Sequence, residues 1–131
     1  MKKLMLFIVI AIFVSCSNTN SKLENSLSKE IGKEPIQNEL VSGTKTQIVL
    51  WEDVEMGKSS LIKNLVDKEF GSLPSEVSDL NQELDDEYNP IDGAYYQYQV
   101  YENTKNKVEL SFRYSNTKPD LMNVRLYMTI K

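Results

Sequence analysis

The sequence predicts an α+β domain: two helices packed on one face of a three- to four-stranded antiparallel sheet that ends in a C-terminal meander. Three observations carry this. Between Ala94 and Ile130 the chain holds three runs of strict apolar-polar alternation, the period of a half-buried strand. Residues 57–70 change to a helical period. The linkers Glu102 to Asn106 and Asn116 to Asp120 are short and rich in turn formers, which joins successive strands antiparallel.

The elements follow in order. Ile48 to Trp51, bounded by Ser42-Gly43-Thr44 and Glu52-Asp53, reads as a short strand that hairpins with Ile36 to Val41. Trp51 alternates with Val49 and is placed either in the core or on an exposed edge. In the first helix Met56, Leu61, Ile62, Leu65, Val66 and Phe70 share a face, with Ser59 to cap it and Gly71 to stop it. A second helix is expected from Pro74, with Val77, Leu80 and Leu84 on its buried stripe and Asn89-Pro90 ending it. In the meander the inward rows are expected to be Ala94, Tyr96, Tyr98 and Val100, then Val108, Leu110, Phe112 and Tyr114, then Met122, Val124, Leu126, Met128 and Ile130.

Ahead of this domain lies an address. Lys2 and Lys3 precede an eleven-residue apolar run, Leu4 to Val14, which is well short of a bilayer span. The segment Phe13-Val14-Ser15-Cys16 resembles the lipobox of bacterial lipoprotein signals, with Phe13 where leucine is usual. The resemblance implies a signal peptide over 1–15, a diacylglycerol on the thiol of Cys16 and a lipid-anchored place in the cell envelope, on the outer membrane if the cell has one. Ser17 to Lys33 is polar and reads as a flexible tether, 16–33 with its cysteine, although Leu23, Leu27 and Ile31 recur every four residues. Residues 34–131 are then one α+β domain.

Charge and composition exclude several activities. The chain has 15 Lys and Arg against 19 Asp and Glu, and without Lys2 and Lys3 the balance is about −6. Nucleic acid is not an expected partner, because a polyphosphate requires a basic stripe. Cys16 is the only cysteine, so no disulfide forms within a chain. There is no histidine, which removes the usual general base and the Ser-His and Cys-His nucleophile pairs.

The remaining motifs yield no cofactor or metal. Gly57-Lys58-Ser59 suggests a phosphate loop, but Glu52 stands where its first glycine belongs, so it is read as a helix start. Ser60 and Lys63 have the Ser-x-x-Lys spacing, yet Ser26 and Lys29 repeat it and the partner motifs are missing. The acidic cluster of Glu76, Asp79, Glu83, Asp85, Asp86, Glu87 and Asp92 fails the calcium-loop spacing, with Pro90 at the glycine position; it reads as a solvated face. The candidate partner-binding face is the outer side of the sheet, where Tyr95, Tyr101, Arg113, Arg125 and Tyr127 are expected together, since tyrosine and arginine anchor interfaces.

From Val54 to Lys131 the order of elements resembles the small lipoproteins of the outer-membrane protein assembly machinery and their relatives that inhibit β-lactamases. Met56-Gly57-Lys58-Ser59 opens a helix, Gly71-Ser72-Leu73-Pro74 closes it, and an aromatic strand and two alternating ones follow. The resemblance implies a non-catalytic envelope module that acts by contact, and it transfers no functional residues. The function expected is a membrane-anchored scaffold that binds a protein partner in the envelope and is not an enzyme. An inhibitor or immunity-type lipoprotein is the alternative, and an enzyme or small-ligand receptor, which would have to use carboxylates, is a third class.

The lipid anchor is directly testable. Intact mass should show acyl addition on a protein starting at Cys16, and Cys16→Ala should leave the membrane after a carbonate wash; an unmodified mass, or a variant that stays bound, removes the assignment.

Overall fold

The computed structural model describes residues 18–131, and the expected signal peptide and lipobox, with Cys16, lie outside them. The chain runs α1 (Asn18–Ile31), β1 (Gln37–Leu40), β2 (Thr46–Glu55), a 3₁₀ turn (Met56–Lys58), α2 (Ser59–Phe70), β3 (Glu76–Val77), β4 (Asn81–Leu84), β5 (Pro90–Glu102), β6 (Asn106–Ser115) and β7 (Lys118–Ile130). The expected three to four strands are corrected to one seven-stranded antiparallel sheet, in the order β1-β2-β7-β6-β5-β3, with β4 also paired to β5. The meander forms from β5, β6 and β7. It does not end the sheet, because the far side of β7 pairs with β2 and so draws the N-terminal hairpin into the same layer.

Two helices are present, but they are not the expected pair. Within the segment expected as a flexible tether, α1 occupies Asn18–Ile31 and buries Leu23, Leu27 and Ile31, the stripe its four-residue spacing presents. Packing against α2 and β2 supplies the stability that its polar composition lacks. The helix expected from Pro74 is absent. Backbone N–H groups of Ser75 and Ser78 donate to the carbonyls of Val100 (2.7 Å) and Tyr98 (2.9 Å), so this segment lies along β5 as an edge. Val77, Leu80 and Leu84, its supposed buried stripe, are exposed.

The core lies between the helices and one face of the sheet. It contains Val49, Trp51 and Val54 from β2, Val108, Leu110 and Phe112 from β6, and Met122, Val124, Leu126 and Met128 from β7, with Ile62 and Val66 of α2 against them. Trp51 is fully buried, and its indole N–H donates to the Ser28 hydroxyl of α1 at 3.2 Å. β6 and β7 follow the expected phase; β5 is inverted. Its inward row is Tyr95, Gln97, Gln99 and Tyr101, set by the register Tyr95↔Tyr114, Gln97↔Phe112, Gln99↔Leu110 and Tyr101↔Val108.

A lysine closes the C-terminal end of α1. Lys58 Nζ donates to the carbonyls of Glu30 (2.8 Å) and Ile31 (3.1 Å), the unsatisfied C-terminal acceptors of α1, where a cation also suits the helix dipole. The Gly57-Lys58-Ser59 motif thus serves as a cap for another helix. Ser59 makes no side-chain cap for α2, whereas Gly71 ends that helix as expected, at φ 86°.

Because Leu27 is fully buried, Leu27→Ala should cost about 2–5 kcal/mol in denaturant unfolding. A negligible loss would restore the tether reading of α1.

Candidate functional site

The strands outrun the helices. β5 and β7 have 13 residues each, about 40 Å of strand, while the 14 and 12 residues of α1 and α2 reach about 20 Å. The helices run from the end of β2 opposite Leu121, where α1 ends and α2 begins, to the end of β5 that holds Tyr101, and they leave the corner of the helix-side face around Tyr95 and Tyr114 uncovered.

Two irregularities widen that end. From Trp51↔Val124 to Val54↔Met122, β2 advances three positions against two on β7, and Asp53 takes the left-handed conformation at φ 53°. From Tyr114↔Met122 to Ser115↔Lys118, β6 advances one position against four on β7, which inserts Pro119, Asp120 and Leu121. Proline is tolerated there because a bulge asks for no ladder donor.

Two recesses result. One, of about 400 Å³, is mainly apolar and is walled by Met56, Leu80, Tyr95, Tyr114, Pro119 and Leu121, with Gln97, Ser115 and Asn116 at its polar positions. The other, of about 310 Å³, holds Glu52, Asp53, Glu83, Arg113 and Lys118 beside Thr117 and Asn123. Both are lined by Tyr114, Ser115 and Leu121, so an apolar and a charged compartment adjoin.

The charged side chains are held in place. Lys118 Nζ donates to Asp53 Oδ1 at 2.9 Å, and Arg113 Nε pairs with Glu83 Oε1 at 3.2 Å. The Arg113 side chain remains 44% exposed beside this contact. The left-handed turn at Asp53 is braced as well: Asn123 Oδ1 accepts from its N–H at 3.3 Å, and Lys33 Nζ donates to the carbonyls of Glu52 (3.2 Å) and Asp53 (2.6 Å). An aspartate tolerates this conformation better than most side chains. The hydrogen bond from Lys118, together with its charge and that of Lys33, holds the Asp53 carboxyl below the usual carboxylate range. The same bond raises Lys118, and burial raises the Tyr114 phenol.

The expected binding face is not assembled. Tyr101 is fully buried: its hydroxyl donates to Asp67 Oδ1 of α2, accepts from Gln99 Nε2 at 2.9 Å, and its ring lies 5.5 Å from that of Phe70. Tyr95 points to the helix side and lines the apolar recess. Arg125 and Tyr127 do lie on the outer face, where the guanidinium donates to the Tyr127 hydroxyl at 2.8 Å, and Arg113 turns to the charged recess. The physical reason is the phase of β5, which puts two of the three tyrosines behind the sheet.

Sequence reasoning missed Asp53, Lys118, Tyr114 and Leu121 as site residues. Asp53 was read as the end of a strand and Lys118-Pro119-Asp120 as linker. The one local signal was Pro119 directly before an alternating run, which marks an edge or a bulge.

No family model and no curated protein matches the chain. Among solved structures, a mutant thioesterase from Pseudomonas aeruginosa is similar over 87% of this chain and 91% of that one, with 12% identity and a TM-score of 0.30. The expectation of a non-catalytic scaffold or inhibitor that is not an enzyme is withdrawn, because the tyrosine-arginine surface through which such a module would act is not assembled: Tyr101 is buried and Tyr95 turns to the helix side.

The Asp53–Lys118 pair gives a signed pH prediction. A carboxyl depressed by its partner contributes stability at pH above its ordinary value of 3.8, and that contribution is lost as pH falls through the lower native value. In Lys118→Met the Asp53 carboxyl, followed by NMR, should titrate closer to 3.8 than in the parent. An unmoved titration would show that Lys118 does not hold it.

Proposed function

We propose that this chain is an envelope lipoprotein, anchored through Cys16, whose domain binds a small amphipathic molecule at the open end of the sheet. One observation carries the reading of the domain: the apolar and the charged recess share Tyr114, Ser115 and Leu121. A ligand with an apolar body and a charged head satisfies both at once. Binding sites for small molecules are typically apolar concavities with a few fixed polar groups, and the combined space here falls in their usual range.

The charged compartment suits orientation of the head. Glu52, Asp53 and Glu83 lie beside Arg113 and Lys118, so both signs are available, and the part-exposed planar guanidinium of Arg113 suits the two oxygens of a carboxylate. The apolar compartment contributes through exclusion of water from Leu80, which is 58% exposed, and from Met56. The lipobox supports the address, since a lipid anchor would hold the domain beside a membrane, where amphipathic molecules concentrate.

Isothermal calorimetry with a series of straight-chain carboxylates from six to twelve carbons tests the site. Affinity should rise with chain length, and Leu80→Asp should weaken binding tenfold or more, about 1.4 kcal/mol, with little change in melting because Leu80 is exposed. Absence of binding across the series, or a Leu80→Asp variant that binds as the parent does, would overturn the reading.

A further inference from the structure

The sheet edge opposite β1 has a chemistry of its own. β3 and β4 lie end to end along β5, and among the described residues no strand pairs with their outer sides. Nearly all soluble proteins blunt such an edge, commonly with lysine or proline. Here the blunting is one-sided: no lysine or arginine occurs between Lys68 and Lys105, while seven acidic residues fall between Glu76 and Asp92. The same segment exposes large apolar side chains, with Val77 at 55% and Leu84 at 52%.

The two characters are sorted by face. Val77 opposes Gln99, which belongs to the inward row of β5, and Glu76 opposes Val100 on the other side. Along β4, Gln82 opposes the inward Tyr95, while Glu83 reaches Arg113 on the outer side. Leu84, two positions beyond Gln82, shares its face, so an added strand would meet Val77 and Leu84 with the amide of Gln82 on the helix side, and the carboxylates of Glu76 and Glu83 on the outer side.

We propose that this edge receives an extended segment of another protein, in which apolar and basic residues alternate, as an added antiparallel or parallel strand. Backbone hydrogen bonds to β4 supply the attachment, and the period-two chemistry selects the segment. A second copy of this chain is excluded as occupant by charge, since two acidic edges would face each other across a strand spacing of about 4.8 Å.

Titration of the isotope-labelled chain with the peptide acetyl-(Val-Lys)₄-amide tests this, with acetyl-(Val-Glu)₄-amide and acetyl-Val₄-Lys₄-amide as controls. The alternating basic peptide should bind at least tenfold more tightly than either control and should slow amide exchange over Asn81 to Leu84. Its affinity should fall with added salt and fall tenfold in Val77→Lys/Leu84→Lys, whose side chains are exposed and whose fold should be spared. Equal binding of the controls, unchanged exchange in β4, or concentration-dependent dimerisation through this edge would overturn the proposal, whatever the outcome at the recess.

Discussion

The rest of the structure depends on a mismatch of length. Strands advance about 3.4 Å per residue and helices 1.5 Å, so two helices of 14 and 12 residues cannot roof strands of 13. Together they cover the part of the sheet where the buried rows of β6 and β7 run from Val108 to Phe112 and from Met122 to Met128. The uncovered corner keeps inward-facing side chains with only a partial second layer. Tyr95 and Tyr114 stand there because an aromatic body with a polar tip tolerates partial exposure better than leucine does. The recess is thus a consequence of how little helix the chain devotes to one face.

The roof is fixed by a small number of polar contacts. Tyr101, Asp67 and Gln99 tie β5 to α2, Trp51 and Ser28 tie β2 to α1, and Lys58 binds the carbonyls at the end of α1. None of the described buried side-chain polar atoms lacks a partner. These bonds specify position more than they add net stability, because each replaces bonds to water, whereas removal of one partner leaves the other buried and unsatisfied. They explain why Lys58 and Asp67, both unremarkable in the sequence, hold their places.

What was legible in the sequence follows from how unambiguous each alternation was. β6 and β7 set aliphatic residues against charged and polar ones, so their faces could be read directly. β5 has tyrosines in both rows and glutamines in one, and the glutamine row is the inward one because Gln99 finds the Tyr101 hydroxyl. Val77, Leu80 and Leu84 have helical spacing, but a strand edge with a bulge also exposes them at those intervals. In α1 the apolar stripe was visible and its polar surroundings outweighed it; only tertiary contact with α2 and β2 decides that balance. The recess was not legible at all, since it arises from two bulges and a missing roof, and none of these leaves a residue pattern longer than Pro119.

The edge and the recess are mechanically one element. Glu83 is carried by β4, the edge strand, and its ion pair with Arg113 of β6 forms part of the wall of the charged compartment. A strand added along β4 would order the backbone that positions Glu83, and a carboxylate on Arg113 would share one guanidinium with Glu83. Occupancy of one would then alter the free energy of occupancy of the other, by the same factor in both directions. An exposed ion pair is worth little by itself; its consequence here comes from its position between two open surfaces, where a modest contact is enough to make their occupancies interdependent.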